Sequence, residues 1–99
     1  MQSCALHFAA DHPAASGHFP ANPIIPGALL LDEVVTAIAG AGHGVAVIRA
    51  AKFLRPVRPG DSLNLRWQYL TAGTVKFECE LAGSGIAVSG LLEMGPVAA

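Results

Sequence analysis

The sequence predicts an α+β fold in which one central helix is wrapped by a curved antiparallel sheet. Three observations carry this expectation. Residues 28–39 have the composition of a helix, and only Asp32, Glu33 and Thr36 interrupt their apolar surface. Two later segments alternate apolar and polar residues with a period of two, as half-buried strands do. The links between the later segments are short and carry turn-forming residues, which suits hairpins.

Residues 4–9 form the first expected strand, with Cys4, Leu6 and Phe8 on one face and Ala5, His7 and Ala9 on the other. Residues 11–27 hold Pro13, Gly17, Pro20, Pro23, Pro26 and Gly27, a density of breakers that excludes a long regular element. A structureless segment of that length inside a small fold is usually functional or disordered. The embedded His18, Phe19, Ile24 and Ile25 predict that it packs down. The helix over 28–39 is entered from Pro26-Gly27 and ended by Gly40 and Gly42. So apolar a helix is expected to be buried over most of its circumference.

The sheet comes from the rest of the chain. Val45, Val47 and Ile48 favour a strand over 45–53. In 62–70, Leu63, Leu65, Trp67 and Tyr69 alternate with Asn64, Arg66 and Gln68. In 75–81, Val75, Phe77, Cys79 and Leu81 alternate with Lys76, Glu78 and Glu80, and 86–94 complete the set.

Ninety-nine residues suit one domain, 1–99. Of these, 53% are hydrophobic and only 13% charged, against roughly a quarter charged in average soluble domains. Too few charges remain to cover a monomer, which predicts apolar surface buried between subunits. The net charge of −1 offers no footprint for nucleic acid. Arg49, Lys52, Arg55 and Arg58 are closely spaced and form either a solvated edge or a small basic patch for an acidic partner. Cys4 and Cys79 are too few for a disulfide framework and fit a reducing compartment. Met1-Gln2-Ser3-Cys4-Ala5 lacks the basic start and apolar run of a signal peptide, and 28–41 is too interrupted to span a membrane. A cytoplasmic, soluble protein is expected.

Three residues have the setting for chemistry. His18 stands between Gly17 and Phe19, just before three prolines, and an imidazole passes protons either way near neutral pH. His7, His12 and His43 have no comparable setting. Asp32 lies about one turn into the helix among Leu29, Leu30, Leu31, Val34 and Val35. A carboxylate buried there would be costly and so would have a task; a solvent-facing acid near the helix start is the other reading. Adjacent helical positions point about 100° apart, and spacing alone leaves the choice between Asp32 and Glu33 open. Gly27 stands where backbone N–H groups lack intrahelical acceptors, a place suited to stabilising a carbonyl oxygen that gains negative charge.

The segment from Gly17 to Asp32 resembles the active-site motif of bacterial 3-hydroxyacyl-[acyl-carrier-protein] dehydratases, the FabA/FabZ family of hot-dog proteins. The residues that carry the resemblance are His18-Phe19-Pro20, Pro23, Pro26-Gly27 and Asp32. A second stretch, Phe53-Leu54-Arg55-Pro56-Val57-Arg58-Pro59-Gly60-Asp61, resembles the family's strand and turn after the helix. The FabZ branch has Glu where this chain has Asp32 and Gln where it has Thr36, so the acid is the FabA-like choice.

The resemblance implies a hot-dog fold and dehydration of a 3-hydroxyacyl thioester to a trans-2-enoyl thioester, in fatty-acid or specialised polyene or lipid synthesis. It implies that His18 removes the proton beside the thioester carbonyl and that Asp32, rather than Glu33, helps the 3-hydroxyl leave. Gly27 would contact the thioester oxygen, with Phe19 and Ala28 also in the substrate-binding set. The implied partners are an acyl carrier protein bearing the substrate, and a second subunit. That subunit would complete a homodimer or larger homo-oligomer, or a pair with a homologous chain, because the family's histidine and acid come from different subunits. No cofactor is implied, and no His/Cys cluster has metal-ligand spacing. A hot-dog acyl thioesterase and a non-catalytic acyl-binding subunit are the competing readings.

Overall fold

The structure is a computed structural model that describes residues 2–9, 24–39, 46–71 and 73–94. Its elements are strand β1 (Gln2–His7), helix α1 (Gly27–Ala39), and strands β2 (Ala46–Phe53), β3 (Ser62–Tyr69), β4 (Thr74–Leu81) and β5 (Gly85–Met94). All strand pairs are antiparallel and their order in the sheet is β1-β3-β4-β5-β2. β1 and β2 are therefore the edges. One helix against a five-stranded antiparallel sheet is the architecture expected from the pattern.

β1 lies two residues earlier than expected. Its ladder runs from Gln2 opposite Trp67 to His7 opposite Ser62. Beyond it, Phe8 is captured by a turn: its N–H donates to the Asp61 carbonyl at 3.1 Å, and its carbonyl accepts from Gly60 N–H at 2.6 Å. That turn closes with Asp61 N–H donating to the Arg58 carbonyl at 3.0 Å, and Gly60 supplies the φ of 94° that it needs. Phe8 is 3% exposed and still joins the core from this irregular stretch.

Leu63, Leu65 and Trp67 of β3, Val75, Phe77 and Cys79 of β4, and Val88 and Leu92 of β5 bury one face of the sheet. Leu30, Val34 and Ile38, spaced by four, present a stripe of α1 to the same cluster. Tyr69, expected on the inner face, pairs with the buried Val75 yet is 53% exposed, as the last residue of β3 and beyond the β1 ladder that begins with Gln2 opposite Trp67. Gly90 lets the sheet close tightly: a Cβ there would overlap the Ala50 carbonyl oxygen and stand 2.8 Å from the Phe77 ring.

The helix departs from expectation in one respect. Within the single chain only Leu30, Val34, Ile38 and Ala39 are buried. Leu29, Leu31, Val35 and Ala37 are half-buried, while Ala28, Asp32, Glu33 and Thr36 are exposed. A single sheet layer covers one flank of a cylinder, and the second apolar flank of α1 is only half covered.

Candidate active site

The first turn of α1 is built by Pro26 and Gly27. The Pro26 carbonyl accepts from Leu30 N–H at 3.0 Å, which makes Pro26 the entry residue and Gly27 the first helical one. The N–H groups of this turn have no acceptor inside the helix, and the helix dipole is positive there. They border a cleft of ≈ 370 Å³ whose walls are Ile24, Ile25, Leu30, Phe53 and the 54–57 segment.

Two backbone ties hold that cleft open. Ile25 N–H donates to the Val57 carbonyl at 2.7 Å, which fixes the approach to α1 against the 54–57 segment. On the other side, Cys79 pairs with Val88 but Glu80 pairs with Ile86, leaving Ala87 as an extra residue in β5. Its carbonyl accepts from both Leu54 N–H (2.7 Å) and Arg55 N–H (3.3 Å). A bulge in β5 therefore positions the strip that lines the cleft.

Gly27 packs closely against Phe53. A Cβ on it would stand 2.9 Å from Cζ and 3.1 Å from Cε1 of Phe53. The room left by the absent side chain is filled by an aromatic ring, while Gly27 still lines the cleft. Phe53 was missed as a site residue from sequence. The available signal was an aromatic ending a strand that follows a glycine-started helix.

Asp32 occupies a different place. It is exposed, and it lines a second depression with Ala28, Leu31, Val35 and Ile48. These helix residues fall on one stripe, turned from the Leu30/Val34/Ile38 stripe by about one residue's rotation. Ile48 pairs with Leu92, so it stands on the helix-bearing face of β2 at the sheet edge, 42% exposed. Among the described residues, the Asp32 depression and the Gly27 cleft have no lining residue in common. The expectation of an acid buried among leucines is not met within one chain; the apolar neighbours are there, but solvent reaches them. Ala28 stands on the Asp32 side and is exposed. His18 and Phe19 lie outside the described residues.

Two arginines, Arg49 and Arg66, are tied down within the sheet. Arg66 on the outer face of β3 donates from Nε and Nη2 to Glu78 Oε1 at 3.1 and 2.9 Å, and from Nη1 to Glu80 at 3.0 Å. These bonds raise its pKa, the Glu78 bond most. Arg49 pairs with Glu93 across β2 and β5. Burial pushes the Cys79 thiol up to about 12. Among the described residues, no three His, Cys, Asp or Glu side chains come together as a metal site, and no helix is long and apolar enough to cross a membrane.

The class follows from the architecture: this is a hot-dog fold. The same fold is found in the dehydratase heterocomplex ApeI:P from Xenorhabdus doucetiae, with a TM-score of 0.75 at 24% identity, covering 93% of this chain and 84% of that one. More narrowly, residues 1–91 match the ApeI-like family, described as ApeI dehydratase, and the chain belongs to that family. It is 35% identical over 101 residues to the 3-hydroxyacyl-[acyl-carrier-protein] dehydratase FabZ of Thermomicrobium roseum, an alignment covering 84% of this chain and 68% of the relative. It is 38% identical over 81 residues to the FabZ of Actinobacillus pleuropneumoniae serotype 5b, covering 68% of this chain and 53% of that one. The chain thus spans between about half and two thirds of the length of these curated relatives.

Proposed function

We propose that this chain dehydrates 3-hydroxyacyl thioesters carried on acyl carrier protein, at a site shared by two subunits. The observation that carries the reading is the arrangement on α1: Gly27, at the N-terminal end of the helix, lines a cleft, and a carboxyl stands five residues further on, in a member of the ApeI-like dehydratase family.

In this reading His18 takes the proton from C2 of the substrate. The electrons of that C–H bond form the C2–C3 double bond, and the C3–O bond breaks. Asp32 delivers the proton with which the hydroxyl leaves as water. The N–H at Gly27 stabilises the enolate-like charge on the thioester oxygen as C2 is deprotonated. The product is a trans-2-enoyl thioester.

The shared site is supported by the separation of the two depressions. One chain offers Gly27 in one and Asp32 in the other, so a second copy can bring its own loop against the half-covered flank of α1. The edge position of β2, with Val47 48% and Ile48 42% exposed, supports the same arrangement. Such half-covered apolar surface on an edge strand is stabilised by pairing.

The test is enoyl absorbance from 3-hydroxyacyl carrier-protein thioesters of graded chain length. Growth of the signal is expected. Its absence at every length, alone and with a homologous subunit, overturns the proposal, and release of free thiol instead assigns the chain to thioester hydrolysis. A mixture of His18→Ala and Asp32→Asn chains, each inactive alone, should regain about a quarter of wild-type activity if subunits exchange freely. A dead mixture despite exchange would refute sharing.

A further inference from the structure

Arg55 is the only charged side chain among the described residues that line the Gly27 cleft. Its position is set from two sides. The backbone N–H is tied to the Ala87 carbonyl at the β5 bulge. The guanidinium rests over Gly85, where a Cβ would stand 3.3 Å from Nη2 and 3.4 Å from Nε. Gly85 also has a φ of 98°, so both its backbone and the space above it favour glycine.

The other well-placed arginines are occupied. Arg49 pairs with Glu93, and Arg66 with Glu78 and Glu80. Arg55 is exposed and forms no ion pair with a described residue. A guanidinium at the rim of a cleft whose other described lining residues are apolar, without an ion pair to a described carboxylate, is suited to receive an anion. Its planar fork of N–H donors matches the oxygens of a phosphate. The reacting end of a neutral 3-hydroxyacyl thioester has no anion to offer. The arm that delivers it does, in the phosphate that ends the pantetheine unit.

We infer that Arg55 is a specificity-determining residue that binds the phosphate of a phosphopantetheine arm, an inference that rests on the dehydratase reading above. The same phosphate is presented by an acyl carrier protein and by coenzyme A, and Arg55 recognises the group rather than the carrier.

The decisive experiment titrates the full chain by calorimetry with two unacylated arms, pantetheine and 4′-phosphopantetheine. The wild-type chain is expected to prefer the phosphorylated arm. Arg55→Ala should reduce that preference by about tenfold or more, and Arg55→Lys should keep part of it. An unchanged preference in Arg55→Ala, or equal weakening of both arms, overturns the inference, the second outcome marking a role in shaping the cleft. Coenzyme A and phosphopantetheinylated carrier protein separate the two sources. Weakening of both supports phosphate recognition, whereas a loss confined to the carrier protein assigns Arg55 to that protein's surface and overturns it. Turnover of a 3-hydroxybutyryl N-acetylcysteamine thioester, which has no phosphate, reports on the dehydratase reading separately.

Discussion

The ring of Phe53 occupies the volume that a side chain on Gly27 would need, with Cζ only 2.9 Å from the site of the missing Cβ. The contact joins the last residue of β2 to the first residue of α1. Gly27→Ala must push the ring aside, and because the ring is 50% exposed it has room to move. The expected outcome is a melting temperature close to wild type but a raised KM, since the displaced ring narrows the cleft. Combining Gly27→Ala with Phe53→Ala should recover part of that loss, a non-additivity that steady-state kinetics on the four variants measures directly.

Asp32→Asn should separate activity from stability. The side chain is exposed in the single chain, so unfolding free energy is expected to stay within about 0.5 kcal/mol of wild type. Loss of the proton donor should lower kcat by roughly 10²-fold or more. Denaturant titration and enoyl absorbance together check both halves, and wild-type turnover in this variant would remove Asp32 from the mechanism.

Gly90→Ala is expected to destabilise the chain by about 1–3 kcal/mol, the usual range for overfilling a packed position. The added methyl meets the Ala50 carbonyl and the Phe77 ring together. Backbone is what obstructs it, so repacking side chains offers no escape. Chemical denaturation of wild type and variant gives the difference.

Alkaline pH should weaken the fold through Cys79. Its thiol ionises at about 12 in the native state against 9.0 ordinarily, because burial penalises the thiolate, with smaller contributions from Cys4 and Glu78. The unfolded chain releases this proton first, so it binds fewer protons than the native chain as pH rises from about 9 to about 12. Stability contributed by the buried thiol is complete below that window and falls through it. Cys79→Ala or Cys79→Val should flatten this part of the stability profile, read from melting temperatures across the alkaline range.

The alternation in β3 and β4 made the sheet readable, because Leu63, Leu65, Trp67, Val75, Phe77 and Cys79 obey a strictly local period. The helix was readable from its composition, but not which stripe it buries: burial expected over most of its circumference narrows to Leu30, Val34, Ile38 and Ala39. Harder to see was how the half-covered flank of α1 would be treated. Leu31 and Val35 signal burial, yet a sequence registers the total apolar surface and not which chain covers it. The Gly27–Phe53 contact joins residues 26 positions apart in the sequence, and the Ala87 bulge leaves no mark in a run such as Ile86-Ala87-Val88. Asp32 and Glu33 are both exposed, and it is the Ala28/Leu31/Val35/Ile48 surroundings that set Asp32 apart.

The doubled duty of the Ala87 carbonyl links the width of the opening to the hairpin joining β4 and β5. Two successive amides hang from one oxygen, and that oxygen exists only because β5 holds one residue more than its neighbour. Removing that surplus residue would withdraw the peg and let residues 54–57 swing, leaving the helix and its acid untouched. A single deletion in β5 is therefore expected to re-cut the Gly27 cleft from a place apart from Asp32.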